Sequence, residues 1–224
     1  GLFVIERQEA TIGVLEGKTI RVLQKLTSGI PGKTEKGGQS AARFSRIREG
    51  MAKEYYRRAA EDIKEQFFNM PKLRGIIVGG PGPTKEDFIK QGELTTALKE
   101  KIIAVKDIGY SDEYGLKLLV EASQDVLAQQ EIIVEKKIFE RFFTMLATKP
   151  HFVAYGKAQV RKALEAGAVA ELILSSWLDE KESAEFELTA LNINSLVKFV
   201  SEDTEEGIQF RNLGGIGAIL RFAI

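Results

Sequence analysis

From Ala41 to Asn69, apolar residues recur at three- and four-residue spacing: Phe44, Ile47, Met51, Tyr55, Ala59, Ile63 and Phe67. That period predicts one amphipathic helix of about 29 residues with a single apolar stripe. Arg43, Arg46 and Arg57 fall away from the stripe, whereas Phe44 lies on it and is expected in the core. Asn69-Met70-Pro71 ends the pattern, because proline carries no backbone N–H to continue a helix. Residues 28–40, just before it, contain four glycines and a proline. An unstructured stretch of that length inside a compact domain is usually functional, and this one is expected to be flexible.

Around this helix the chain reads as mixed α/β. Residues 2–6, 11–16 and 19–27 are β-branched and apolar, and Glu16-Gly17-Lys18 suits a hairpin turn between the latter two. Arg74 to Val78 and Lys101 to Val105 are further strand candidates, while Glu113 to Val120 and Ser123 to Thr148 are helical in pattern. Lys149-Pro150 interrupts the last of these. Strands at about 152–155, 169–174, 196–200 and 216–223 then alternate with helices at about 157–166 and 203–211, which argues an α/β sandwich. Residues between the second and third of these strands read as a loop. The expected architecture is two domains, residues 1–133 and 134–224, with the long helix near 123–148 crossing between them.

A charged fraction of 29% and a hydrophobic fraction of 44% belong to a soluble globular protein. No apolar run approaches the ~20 residues needed to span a bilayer, and Gly1-Leu2-Phe3-Val4 lacks the charged start of a signal peptide. There is no cysteine, so disulfides and thiolate metal sites are excluded and cytoplasmic residence is the expectation. The net charge of zero hides a polarity: residues 33–58 carry eight basic side chains against three acidic, and residues 179–206 carry nine acidic against two basic. Such a chain can offer a basic end to RNA, with the acidic stretch either a solvated loop surface or a face for another partner.

Side-chain catalysis has little to work with. His151 is the one histidine, so no histidine pair can bind a metal and a Ser-His-Asp triad would have to use this residue. Gly79-Gly80-Pro81-Gly82-Pro83-Thr84 is a turn and not a phosphate loop, because Thr84 precedes Lys85 without the required glycine. The remaining candidate is Gly37-Gly38-Gln39. Paired glycines free the backbone for positive φ or close approach, and the glutamine amide both donates and accepts. Most glycine pairs are ordinary turns. Here the pair is a polar, uncharged tip mounted on a basic stem, suited to an RNA-lined pocket.

The string Gly37-Gly38-Gln39-Ser40-Ala41-Ala42-Arg43-Phe44-Ser45-Arg46-Ile47-Arg48 closely resembles the catalytic-loop signature of the class I peptide chain release factors of archaea and eukaryotes. The resemblance extends to Gly1-Leu2-Phe3-Val4 with Gly13-Val14-Leu15, to Glu135-Lys136-Lys137 with Arg141-Phe142-Phe143, to Lys162 through Val169, and to Glu206 through Phe210 and Gly214 through Phe222. It implies a middle domain bearing the Gly-Gly-Gln loop, and a last domain similar to ribosomal proteins that bind kinked RNA. It implies that Gly37, Gly38 and Gln39 promote hydrolysis of the peptidyl-tRNA ester in the ribosomal peptidyl transferase centre. Lys33, Lys36, Arg43, Arg46 and Arg48 would contact ribosomal RNA phosphates, and Ile219, Leu220, Arg221 and Phe222 a translational GTPase of the elongation factor 1-alpha type. An ABC-type recycling ATPase is a further expected partner, with no cofactor, no membrane and a monomeric state. The family's stop-codon-reading first domain is not in this sequence, so the chain is expected to be a fragment without stop-codon specificity of its own. Many relatives carry a small inserted domain, sometimes with zinc-binding cysteines, where this chain has only about ten residues, Asp179 to Thr189. The alternatives are the ribosome-rescue paralogue, which lacks Gly-Gly-Gln, and a plain RNA-binding module.

Overall fold

A computed structural model describes residues 1–31 and 39–223, without the side chains of residues 39–42. By its contacts the chain divides into two units, Gly1–Leu127 and Ala128–Ile224.

The first unit is built on a five-stranded mixed sheet ordered β3-β2-β1-β4-β5. Its strands are β1 (Leu2–Ile5), β2 (Glu9–Glu16), β3 (Thr19–Thr27), β4 (Ile76–Gly80) and β5 (Ile102–Asp107). β1 pairs antiparallel with β2 and parallel with β4, and β4 runs parallel to β5. β1 and β4 are apolar throughout because both faces of the sheet are covered. Phe3 and Ile5 point to one face, where α1 (Gln39–Phe67) and α2 (Thr84–Gln91) bring Tyr55, Ile63, Phe67 and Phe88. Leu2 and Val4 point to the other, where α4 (Glu113–Glu121), which follows the short α3 (Thr96–Lys99), brings Leu116 and Leu119.

The second unit carries a four-stranded sheet ordered β6-β9-β7-β8, from strands β6 (Val153–Tyr155), β7 (Val169–Ser175), β8 (Leu196–Val200) and β9 (Ile216–Leu220). One face packs on α6 (Lys157–Glu165) and α7 (Glu180–Asn192) through Val160, Leu164 and Phe186. The other packs on Ile138, Phe139 and Phe142 of α5 (Gln124–Thr148) and Phe210 of α8 (Glu205–Asn212).

The expected α/β class is what the structure has. Two readings need correction. Residues 180–192, read as loop, form helix α7, with the Asp179 carboxylate accepting from the Lys181 and Glu182 amides as its N-cap. Five of the acids in that stretch, Asp179, Glu180, Glu182, Glu185 and Glu187, therefore cap or stand on a helix, and Glu182 and Glu185 pair with Lys157 and Arg161. Phe44, assigned to the core, is 54% exposed, and Ile47 is 47% exposed. The apolar stripe of α1 continues past the sheet that buries it.

Candidate functional site

α1 is 29 residues long, or roughly 44 Å at 1.5 Å per residue. Among its described residues none is buried before Tyr55. From Arg43 to Gly50 its side chains thus form a stem outside the buried core of their own unit. Gln39 is the first residue of the helix, two positions earlier than the apolar period indicates. The first turn holds no acidic residue. The leading amides of any α-helix lack intrahelical acceptors, and the aligned peptide dipoles place about half a positive charge there. Here no carboxylate in the first turn neutralises that potential. Lys33, Lys36, Gly37 and Gly38 lie outside the described residues.

The expected arginine cluster divides between two faces. Arg43 and Arg46 line a shallow hollow with Ile47, and both are exposed. Arg48 turns to a second, larger hollow of about 1080 Å³, bounded by α1, by Arg7 in the turn between β1 and β2, and by Pro83, Thr84 and Asp87 at the start of α2. The Arg48 Nε and Nη1 atoms are buried without a hydrogen-bond acceptor among the described residues. Tyr56 forms part of the floor. Its phenol is pushed up by burial and by the nearby Asp87, against the opposing effect of Arg7. Arg57 is held by Glu54 at 2.8 Å and by Glu61 at 3.0 Å, and so is committed within α1.

The base of the stem is fixed to the sheet. Arg58 Nη2 donates to the Thr27 and Ser28 carbonyls, Ile30 N donates to Ser28 Oγ, and Ser28 and Ile30 are buried. The first residues of the 28–40 stretch are therefore held against α1, contrary to the expectation of flexibility for the whole of it, and residues 32–38 lie outside the described residues.

Sequence reasoning missed Lys85. Its side chain is 3% exposed, and Nζ donates to the Gly82 carbonyl at 2.7 Å and to Asp107 Oδ1 at 2.5 Å. Burial works against its charge, yet the bonds to Asp107 and Glu86 outweigh that and hold its pKa above 10.5. The lysine ties α2 and the Gly80-Pro81-Gly82 turn to the end of β5. The sequence signal was a lysine one position into a helix, which ordinarily means solvent.

In the closing segment, Ile219 and Leu220 are 3% and 5% exposed and belong to the core of the second unit. Both side chains pack inside the second unit. Arg221 Nη2 donates to the Ile193 and Asn194 carbonyls, and Phe222 is 49% exposed. His151 lies exposed in a 3₁₀ turn, Pro150–Phe152, with no hydrogen bond or ion pair among the described residues. No group of three or more metal-ligating side chains occurs among the described residues, and none of their helices is long and apolar enough to cross a membrane.

Residues 1–129 match the family model described as eRF1 domain 2, and residues 132–224 match that described as eRF1 domain 3. The chain belongs to the eRF1 family. Peptide chain release factor subunit 1 of Pyrococcus abyssi is 41% identical over 274 residues, covering all of this chain and 66% of the relative. The same factor of Thermococcus sibiricus is 39% identical with the same coverage. The chain thus spans about two thirds of the length of these eRF1-family relatives. Their matched span of 274 residues against 224 here leaves them at least 50 residues without a counterpart in this chain. Among known structures, an archaeal Pelota in a model of its ribosome-bound form with ABCE1 matches with a TM-score of 0.61 at 24% identity, covering 100% of this chain and 61% of that one, a likeness of fold.

Proposed function

We propose that this chain is the peptide-releasing and partner-binding portion of a translation termination factor. The observation that carries the reading is the sequence Gly37-Gly38-Gln39 leading directly into the start of α1, in a chain of the eRF1 family. In the ribosomal peptidyl transferase centre, water attacks the ester joining peptide to transfer RNA and a tetrahedral oxyanion develops. A neutral backbone donor stabilises such a charge without a proton transfer of its own, and one well-placed donor is worth about 3 kcal/mol. The Gln39 amide is that donor. Its place at the first residue of α1 adds the positive end of the helix dipole. The Gln39 side chain orients the attacking water, and Gly37 and Gly38 admit the backbone where a β-carbon would be obstructed.

Arg43 and Arg46, exposed on one face of the stem, take phosphates of ribosomal RNA with Lys33 and Lys36, positioning the loop without reading sequence. Residues 1–133 carry this chemistry. Residues 134–224 meet a translational GTPase of the elongation factor 1-alpha type through Arg221 and Phe222, and an ABC-type recycling ATPase. The factor acts as a monomer in the cytoplasm.

The test is release of labelled peptide from archaeal ribosomes stalled at a stop codon, with the decoding domain of a relative joined to this chain. Release by the parent and a loss of about a hundredfold in Gly38→Ala, at unchanged ribosome binding, is the expected result. Binding without release by either protein would overturn the reading.

A further inference from the structure

Where the chain turns from β5 into α4, two tyrosines stand side by side on the surface. The Tyr110 and Tyr114 rings have centroids 5.1 Å apart and cross at 82°, edge to face. Tyr110 is 54% exposed and Tyr114 51%. Single exposed apolar side chains are ordinary, whereas a fixed pair of rings is a contact surface that the fold itself leaves unfilled.

The pair is held from several sides. Thr11 Oγ1 donates to the Ser111 carbonyl at 2.7 Å, and Ser111 Oγ donates to Glu9 Oε1 at 2.8 Å, which ties the turn to the start of β2. Asp112 Oδ1 accepts from the Gly115 amide at 3.0 Å and caps α4. A β-carbon on Gly115 would stand 2.4 Å from the Tyr110 carbonyl oxygen, so the turn lies directly against the helix. Backbone fixed in this way spares a ligand the cost of ordering the site.

The surroundings are acidic. Residues 107–114 include Asp107, Asp112 and Glu113 and no cation. Three carboxylates act on Lys25 together: the bond to Glu113 raises its pKa, and the charges of Asp112 and Glu9 add to that. Against these acids stand Lys25, already 2.8 Å from Glu113, and Lys117 one turn along α4. Charge of this kind repels the phosphates of a nucleic acid and draws cations. The open ring faces make the same selection, because the face of an aromatic ring is its negative side. Elsewhere the chain answers such faces from within. The Arg211 guanidinium lies 5.0 Å over Trp177, itself half exposed, and Arg161 lies 5.1 Å over Phe186. Among the described residues no guanidinium or ammonium lies over Tyr110 or Tyr114.

We propose that the Tyr110–Tyr114 pair is a docking point for an arginine side chain on a basic segment of a partner protein, the guanidinium stacked on a ring face with its N–H groups turned toward Glu113 and Glu9. Arginine suits the place better than lysine, because its flat, weakly hydrated head lies on a ring and still donates in its own plane. Nothing in this contact depends on Gly37-Gly38-Gln39 or on peptide release.

The experiment is an NMR titration of the full 224-residue chain with four probes: hexa-arginine, hexalysine, a proline-rich decapeptide and hexauridylate. Hexa-arginine is expected to shift the Gly109, Ser111 and Gly115 amides and both tyrosine rings. Its own δ-methylene protons are expected to move upfield under the ring current, and it is expected to bind about threefold tighter than hexalysine. Tyr114→Leu is expected to weaken it about fivefold and to remove the upfield shift, while Tyr114→Phe keeps both. Glu113→Gln is expected to weaken it about threefold, and Tyr110→Leu supplies the check should Tyr114→Leu melt early. No shift at the pair with hexa-arginine would overturn the proposal. So would full affinity in both leucine variants, or hexalysine binding as tightly as hexa-arginine, which would mean charge alone. Tighter binding of the proline-rich peptide or of hexauridylate at these rings would assign them to a polyproline or nucleobase partner instead. Peptide release on the ribosome is a separate readout, so failure here leaves the termination reading standing, and failure there leaves this contact standing.

Discussion

The Tyr55 side chain is fully buried in the first unit's core, and its hydroxyl meets no acceptor or donor among the described residues. Burial pushes its phenol far up, so the group is a neutral, unmet donor at every working pH. Removing only that oxygen keeps the ring, its packing against the sheet and its contact with Arg58. Tyr55→Phe is therefore expected to stabilise the protein by about 1 kcal/mol, read as a raised midpoint in denaturant with unchanged slope. An unchanged or lower midpoint would mean that the hydroxyl is satisfied in solution. Gly80 has the opposite character. It holds φ +152° at the end of β4, and a β-carbon there would stand 2.0 Å from the Ile5 carbonyl oxygen. Backbone cannot yield as a side-chain tip does, so Gly80→Ala is expected to cost more than about 3 kcal/mol, measured by the same unfolding curves. A near-neutral Gly80→Ala would show that β1 and β4 can move apart.

Elements were legible where burial on one face imposes a period, and illegible where charge or position masked it. β1, β4 and β9 are apolar runs because both their faces are covered, and the sequence marks them plainly. α7 was hidden: its first turn is acidic and only Phe186 and Ala190 are buried, so thirteen residues offered two core contacts as signal. Its Asp179 cap was nonetheless visible as an acid before a helix-forming run. Phe44 misled for the reverse reason, since a period shows what a helix can bury and not how far its neighbours reach. The same gap hid the division of the arginines between two faces of α1, which depends on the turn after β1 and on α2 arriving beside Arg48. Lys85 shows an element tied down by one side chain. Its pKa is held above 10.5, so its contribution is fully present below that value and is lost as pH rises through the folded value. Lys85→Met is expected to cost about 1–2 kcal/mol at neutral pH, because Asp107, 88% exposed, is left in water and not stranded. The stability gap between parent and variant should stay constant up to about pH 10 and narrow above it. A gap independent of alkali would place the cost in lost packing.

At the scale of the whole chain, each unit closes its own core. The buried clusters of the first unit draw only on residues up to Leu98 on one face of its sheet and Leu119 on the other, with Leu127 packed beside them. Those of the second begin with Ile138 of α5, and its partly buried neighbours start at Val134. The long helix α5 thus packs Leu127 on a cluster of the first unit and Ile138, Phe139 and Phe142 in a cluster of the second. Its charged contacts follow the same division: Glu135 accepts from Ser201 N at 3.0 Å and from Ser201 Oγ at 2.7 Å, and Arg141 meets Glu171 at 2.7 Å, both inside the second unit. Glu171 is itself 5% exposed and shared with Lys198, so a buried carboxylate of β7 is neutralised by α5 and β8 together. A piece running from Ala128 to Ile224 keeps all these partners. It is expected to fold alone, with a dispersed NMR spectrum and one cooperative thermal transition. Arg141→Met in that piece leaves Lys198 as the one cation on Glu171, and is expected to lower the transition by several degrees, as follows from a cost of about 1–2 kcal/mol in a domain of this size. A non-cooperative melt of the unsubstituted piece would mean that the first turn of α5, Gln124–Leu127, which it lacks, is needed to order the rest of that helix against the sheet.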